Sequence, residues 1–182
     1  MIELSLNILD IVQNSIRAEA DRIEICLTES VKTDRLELKI KDNGKGIPEN
    51  ILSTVEDPFT TTRTTRKTGF GLPLLKHHAL ITGGDIKIVS TEGSGTEVTA
   101  WFGLSHIDRQ PLGDITGVLI ILISSNPDID FIYTHKTDTG QYSFSTLEAK
   151  MILETERLDN YLLLKDIGEI ISENLSALSV SA

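Results

Sequence analysis

Four stretches of apolar–polar alternation constrain this chain more than any other feature, because they come in two pairs. Arg22–Glu29 (RIEICLTE) and Arg35–Asp42 (RLELKIKD) form the first pair, Asp85–Thr91 (DIKIVST) and Thr96–Phe102 (TEVTAWF) the second. Alternation at period two puts every second side chain on one face, as in a half-buried strand. The connecting segments SVKTD and EGSG are of hairpin length. A helical stretch precedes each pair. Residues 4–19 (LSLNILDIVQNSIRAE) contain no Gly or Pro and repeat apolar residues at helical spacing. Leu72–Thr82 is the second helix, stopped by Gly83–Gly84. Between the halves, Asp42–Pro48 is a glycine-rich break, Ile51–Val55 reads as a short helix, and Asp57–Gly71 (DPFTTTRTTRKTGFG) as a polar, basic, mobile loop. This order predicts an α+β fold with an antiparallel or mixed sheet covered on one face by helices.

Beyond Pro111 the character changes. Residues 1–110 carry 13 Lys/Arg and 16 Asp/Glu, whereas residues 111–182 carry 4 and 11, so most of the net charge of −10 lies in the second part. Gly113–Ser125 reads as a helix ending at Asn126–Pro127. Phe131–His135 and Gln141–Phe144 read as a hairpin, and Thr146–Arg157 and Asn160–Leu178 as one or two helices. The acidic balance and an aromatic content of 5% argue against nucleic acid and anionic membranes as partners. A single cysteine, Cys26, excludes a disulfide framework and a cysteine zinc cage, and between Ile25 and Leu27 it reads as a core thiol. Charged residues within the first twenty argue against a secretory signal, and the apolar run Val118–Ile123 is too short to span a bilayer. The expected location is cytoplasmic.

Four motifs carry chemistry. On the first helix Asp10, Asn14 and Arg17 stand at i, i+4 and i+7, in one stripe of a mostly apolar helix. That stripe is either a solvated face or a metal–phosphate site, in which Asn offers a hard oxygen to Mg²⁺, Asp orients or activates a nucleophile, and Arg holds a phosphate oxygen. Asp42-Asn43-Gly44-Lys45-Gly46-Ile47 follows a strand. It is either a turn or a carboxylate aimed at an exocyclic amine, with glycines that let the backbone approach a flat ring. Gly69-Phe70-Gly71-Leu72 stands immediately before a helix, whose N-terminal amides suit phosphate. Gly93-Ser94-Gly95-Thr96 leads into the last strand of the second pair.

In their order and spacing the four motifs resemble the nucleotide-binding domain of the GHKL ATPases: gyrase-type topoisomerases, heat-shock chaperones, sensor histidine kinases and mismatch-repair ATPases, with the anti-sigma-factor serine kinases. Residues 10–18 (DIVQNSIRA) resemble the N box, 42–47 (DNGKGI) the G1 box, 58–60 (PFT) the F box, 69–72 (GFGL) the G2 box and Gly95-Thr96 the G3 position. The resemblance covers roughly residues 4–103. It implies the family's two-layer α/β sandwich (the Bergerat fold), with a mostly antiparallel mixed sheet, and ATP and Mg²⁺ as cofactors. It further implies that Asn14 ligates Mg²⁺ and that Asp42 binds the adenine amine beside Gly44 and Gly46. Gly69, Gly71 and Leu72 would lie at the phosphates, Thr96 would support the Asp42 end of the pocket, and Arg17 would stand at a phosphate-binding position. Asp57–Phe70 would be a lid whose Arg63, Arg66 and Lys67 neutralise the triphosphate.

Asp10 occupies the position of the family's catalytic base. ATPases and serine kinases carry Glu there and histidine kinases often Asn, so Asp is one methylene short of the former. The expected organisation is an ATP-binding domain, 1–110, and an acidic α+β extension, 111–182. The apolar material of the extension, Val118–Ile123, Phe131–Tyr133 and Leu162–Leu164, should pack on the first domain or join two copies as a homodimer. The functional expectation is a Mg-ATP-binding protein that transfers phosphoryl groups to a partner protein or hydrolyses ATP slowly. The alternative is a nucleotide-gated regulatory binding module with negligible catalysis.

Overall fold

The computed structural model describes residues 3–49 and 71–178. The expected short helix at Ile51–Val55, the Pro58-Phe59-Thr60 motif and the lid Asp57–Phe70 lie outside the described residues. Six strands, β1 (Arg22–Ser30), β2 (Arg35–Asp42), β3 (Asp85–Thr91), β4 (Gly95–Gly103), β5 (Asp130–Lys136) and β6 (Gln141–Ser145), make one sheet in the order β3-β4-β2-β1-β5-β6. All neighbours are antiparallel except β1 and β5, which run parallel with Ile25 opposite Tyr133. Five helices are described: α1 (Leu4–Arg17), α2 (Gly71–Ile81), α3 (Ile115–Ser125), α4 (Thr146–Ile152) and α5 (Tyr161–Ala177). The mixed, mostly antiparallel sheet with helices on one face is the two-layer sandwich expected from the strand pairs.

Alternation decides the faces. Ile23, Ile25 and Leu27 of β1, Leu36, Leu38 and Ile40 of β2, Val98, Ala100 and Phe102 of β4, and Phe131 and Tyr133 of β5 all point into one buried cluster under the helices. The other face is polar, with ion pairs such as Lys39–Glu97 at 3.4 Å and the Arg35 guanidinium stacked 4.9 Å from the Trp101 ring. Cys26 belongs to this second face, opposite Lys39 and Thr134, and is partly exposed. The expectation of a core thiol is corrected by parity: Ile25 and Leu27 point inward, so the residue between them points out.

The sheet continues without a break past the change in composition near Pro111. The first amides of α1 are satisfied by the chain beyond that point: Leu4 N–H donates to the Pro111 carbonyl at 3.0 Å and Ser5 N–H to that of Leu112 at 2.9 Å. α3 starts two residues later than expected, at Ile115, because Asp114 caps it by accepting from Gly117 N–H at 2.7 Å. Its buried residues Ile115, Val118, Leu119, Leu122 and Ile123 join the cluster with Leu164, Ile167 and Ile171 of α5.

At the far end of β1 the covered face is polar. Glu29, His135 and Tyr133 are buried together, with His135 Nε2 at 2.8 Å from Glu29 Oε1 and the Tyr133 hydroxyl at 2.7 Å from His135 Nδ1. Burial, with the Glu29 charge as a second cause, pushes the Tyr133 phenol far above its ordinary value.

Candidate nucleotide site

The site is built where α1 crosses the C-terminal end of β2. Asp42 ends β2 at inward parity and is only 7% exposed, so its carboxylate needs donors. It has three. Ser15 Oγ, on the buried side of α1, donates to Oδ2 at 2.6 Å, and the backbone amides of Gly44 and Thr96 donate to Oδ1 at 2.9 and 3.2 Å. Thr96 therefore meets Asp42 through its main chain. Its hydroxyl instead lies 2.9 Å from Ser90 Oγ, which also donates to the Gly95 carbonyl and accepts from Ile47 N–H. These bonds tie the G1-like loop to the β3–β4 hairpin; a shallow cavity of about 210 Å³ at this strand end touches Asp42, Ser90 and Thr96 and is lined equally by Lys41, Val89 and Glu97, which alternate to the outer face.

The loop itself is held from both sides. Lys45 N–H donates to the Ala18 carbonyl at 2.8 Å, and the Lys45 carbonyl accepts from Gly93 N–H at 2.8 Å. Gly46 has φ +70 and presses on the Thr91 backbone, so a side chain there would be both strained and obstructed. Asn43 closes the loop's other flank by accepting from the amides of Asp21 and Arg22.

The three residues of the α1 stripe have different surroundings. Asp10 is half-buried and faces the start of α2: a Cβ on Gly71 would sit 3.2 Å from Asp10 Cβ and 3.4 Å from its Oδ2. Gly71 is thus the residue that lets α1 and the N-terminus of α2 approach. Asn14 and Arg17 are exposed, and Arg17 Nη1 donates to Asn14 Oδ1 at 3.0 Å while Nη2 donates to Gln13 at 3.3 Å. Arg17 also borders a cavity of about 290 Å³ between α1 and α3, lined by Leu9, Gln13, Ile16 and Ile121. Leu72 is half-buried and packs against the core. Gly69 lies outside the described residues.

Further along the α1–α2 contact, buried Asn7 donates to the Gln110 side chain at 3.0 Å. Burial holds the His78 imidazole below its ordinary value. The sequence reading assigns no role to Ser15, Ser90, Asn43 or Asn7. Ser15 and Asn7 carry a signal there: both are polar residues in the apolar stripe that Ile11 shares.

With this geometry in view, comparison with known proteins defines the class. Residues 2–106, more than half of the chain, match the family described as histidine kinase-, DNA gyrase B-, and HSP90-like ATPase, and the chain belongs to that family. It carries that family's ATP-binding, histidine kinase-like domain. Among curated relatives, the sensor histidine kinase ZraS of Escherichia coli (strain K12) is 29% identical over 106 residues, 58% of this chain and 23% of that protein. Sporulation kinase D of Bacillus subtilis (strain 168) is 32% identical over 92 residues, 50% of this chain and 18% of that protein. The chain thus spans about a fifth of the length of these relatives. Among solved structures, the N-terminal domain of a DNA repair protein superposes with a TM-score of 0.53 at 18% identity, over 80% of this chain and 52% of that one. That likeness is one of fold, and it reaches beyond residues 2–106.

Proposed function

We propose that the chain binds Mg-ATP at the Asp42 end of the sheet and uses it for phosphoryl transfer to a partner protein or for slow hydrolysis. The observation that carries this reading is the buried Asp42 carboxylate. It is fixed by Ser15 and two backbone amides, so that its orientation is set before a ligand arrives and its remaining lone-pair capacity can accept from an adenine amine.

Gly44 and Gly46 leave the loop backbone flat beside that position. The N-terminal amides of α2, starting at Gly71, supply a positive dipole end for phosphate oxygens, and Arg17 supplies a charge from the opposite side once it releases Asn14. Mg²⁺ binds through one or two protein oxygens and otherwise keeps water and phosphate. The exposed amide oxygen of Asn14 fits such a role, with Asp10 one turn away. When bound, Mg²⁺ would neutralise charge on the phosphates. Asp10 would take a proton from water or from a partner's hydroxyl.

The reading as a nucleotide-gated binding module has its own support. Asp10 packs against the first residue of α2 and is one methylene shorter than Glu, which limits its reach toward a nucleophile. Two variants test the proposal. Asp42→Asn should weaken Mg-ATP by about 10- to 100-fold, the worth of a charge-assisted hydrogen bond, with the fold retained. Equal affinities by calorimetry would refute the adenine assignment. Asp10→Asn should abolish turnover and leave ATP binding intact if the protein is an enzyme, whereas wild-type protein without turnover in the presence of Mg-ATP favours the gated module.

A further inference from the structure

We infer that the groove between β6, α4 and α5 is a docking site for a cationic amphipathic helix of a partner protein. The groove has a volume of about 260 Å³ and is lined by Phe144, Ala149, Ile152, Leu153, Ile167 and Ile170. Its apolar wall extends onto the surface. Ile152 is 80% exposed and Ile170 54%, and Leu147 and Met151 on α4 are exposed as well. Apolar groups concentrated in this way on two neighbouring helices lose free energy when left in water and gain it when covered. A groove walled by two helices receives a third through side chains spaced at i, i+3, i+4 and i+7.

Charge selects the occupant. From Thr146 to Leu178 there are seven acidic residues and three basic ones. All three cations are engaged: Lys150 Nζ donates to the Pro127 carbonyl at 2.6 Å, Arg157 pairs with Asp159 at 3.4 Å, and Lys165 pairs with Glu169 at 3.6 Å. Glu148, at the groove itself, and Glu154, Asp166 and Glu173 on the same helices or just beyond α4 are exposed and make no ion pair among the described residues. A second copy would bring the same acidic rim against itself, and an anionic bilayer would be repelled in the same way. A helix with an apolar stripe flanked by Lys or Arg satisfies both the groove and its rim. The site is separate from the Asp42 end of the sheet, so it can recruit a partner whether or not nucleotide is turned over.

The probe is a fluorescein-labelled designed helical peptide with Leu at the stripe positions and Lys elsewhere, titrated by anisotropy against the full chain. Its counterpart has Glu in place of Lys. The Lys peptide should bind and the Glu peptide should not. Ile152→Gln with Ile170→Gln, both at exposed positions, should weaken the Lys peptide by at least about tenfold, equivalent to about 1.4 kcal/mol. Glu148→Lys with Asp166→Lys should do the same with the apolar groove intact. Val31→Gln, at an 81% exposed position outside the groove, should change nothing. Failure of the Lys peptide to bind, or binding indifferent to both groove variants, would overturn the inference. So would concentration-dependent dimerisation of the wild type in sedimentation that the Ile152/Ile170 variant abolishes, because the occupant would then be a second copy.

Discussion

The buried Glu29–His135–Tyr133 chain offers the sharpest test of how the second half of the chain is attached to the first, because it crosses the parallel β1–β5 pairing. His135 has no exposed surface and Glu29 is 5% exposed, so neither can exchange its partner for water. Both ring nitrogens of His135 are engaged, Nδ1 with the Tyr133 hydroxyl and Nε2 with the Glu29 carboxylate. His135→Phe removes the middle of the chain and keeps the ring. Breaking a buried pair from one side costs about 3–5 kcal/mol, a large share of the roughly 5–15 kcal/mol that holds a domain together. The double variant Glu29→Leu/His135→Phe replaces the pair with apolar groups, a change that is often neutral or stabilising. Urea titration of the four species should therefore show a large loss for His135→Phe and near recovery in the double variant, a coupling of at least about 2 kcal/mol. Additive losses, or a His135→Phe variant as stable as wild type, would refute the claim that the two strands are locked through this chain.

Tyr133 adds a pH signature to the same element. Burial raises its folded pKa above the ordinary phenol value of 10.0, so its contribution to stability is complete below about pH 10 and falls as pH rises beyond it, where only the unfolded chain ionises. Thermal melts from pH 8 to 11 should show that decline, and Tyr133→Phe should reduce its slope. Ser15→Ala removes one donor from the buried Asp42 carboxylate and should cost about 1.5–3 kcal/mol by denaturant titration while weakening ATP; unchanged values of both would mean that the two backbone amides suffice. Truncation after Arg109 strips β1 of its parallel partner and α1 of the carbonyls of Pro111 and Leu112. Each core side chain so lost is worth about 1.5–3 kcal/mol, so fragment 1–109 should aggregate or melt far below the full chain in light scattering and calorimetry.

Period-two alternation was legible because it is a local property. It named β1 to β4 within a residue at either end and put the apolar residues of each on one face; β5 and β6 were read as a hairpin across residues 137–140. Cys26 was misread only where a neighbour-based argument overrode that parity. What alternation does not encode is which strand lies beside which. Phe131–His135 reads as a strand from its own residues, but nothing in it says that β5 runs parallel to β1 rather than forming an edge elsewhere. The capping of α1 by Pro111 and Leu112 uses main-chain carbonyls, which have no side-chain signature at all.

The same limit separates the two polar clusters on the covered face. Asp42, Glu29 and His135 all interrupt an apolar set at inward parity, and in sequence they are equivalent signals. Their surroundings make them different. Glu29 and His135 are bonded to each other in a closed core, whereas Asp42 takes backbone and hydroxyl donors at a strand end. A carboxylate that is buried, oriented and incompletely used is the arrangement that favours a ligand over a structural role. The resemblance in the motifs pointed to Asp42. The kind of donor around it, main-chain amides and a hydroxyl at a strand end, supplies a physical reason for choosing it over Glu29.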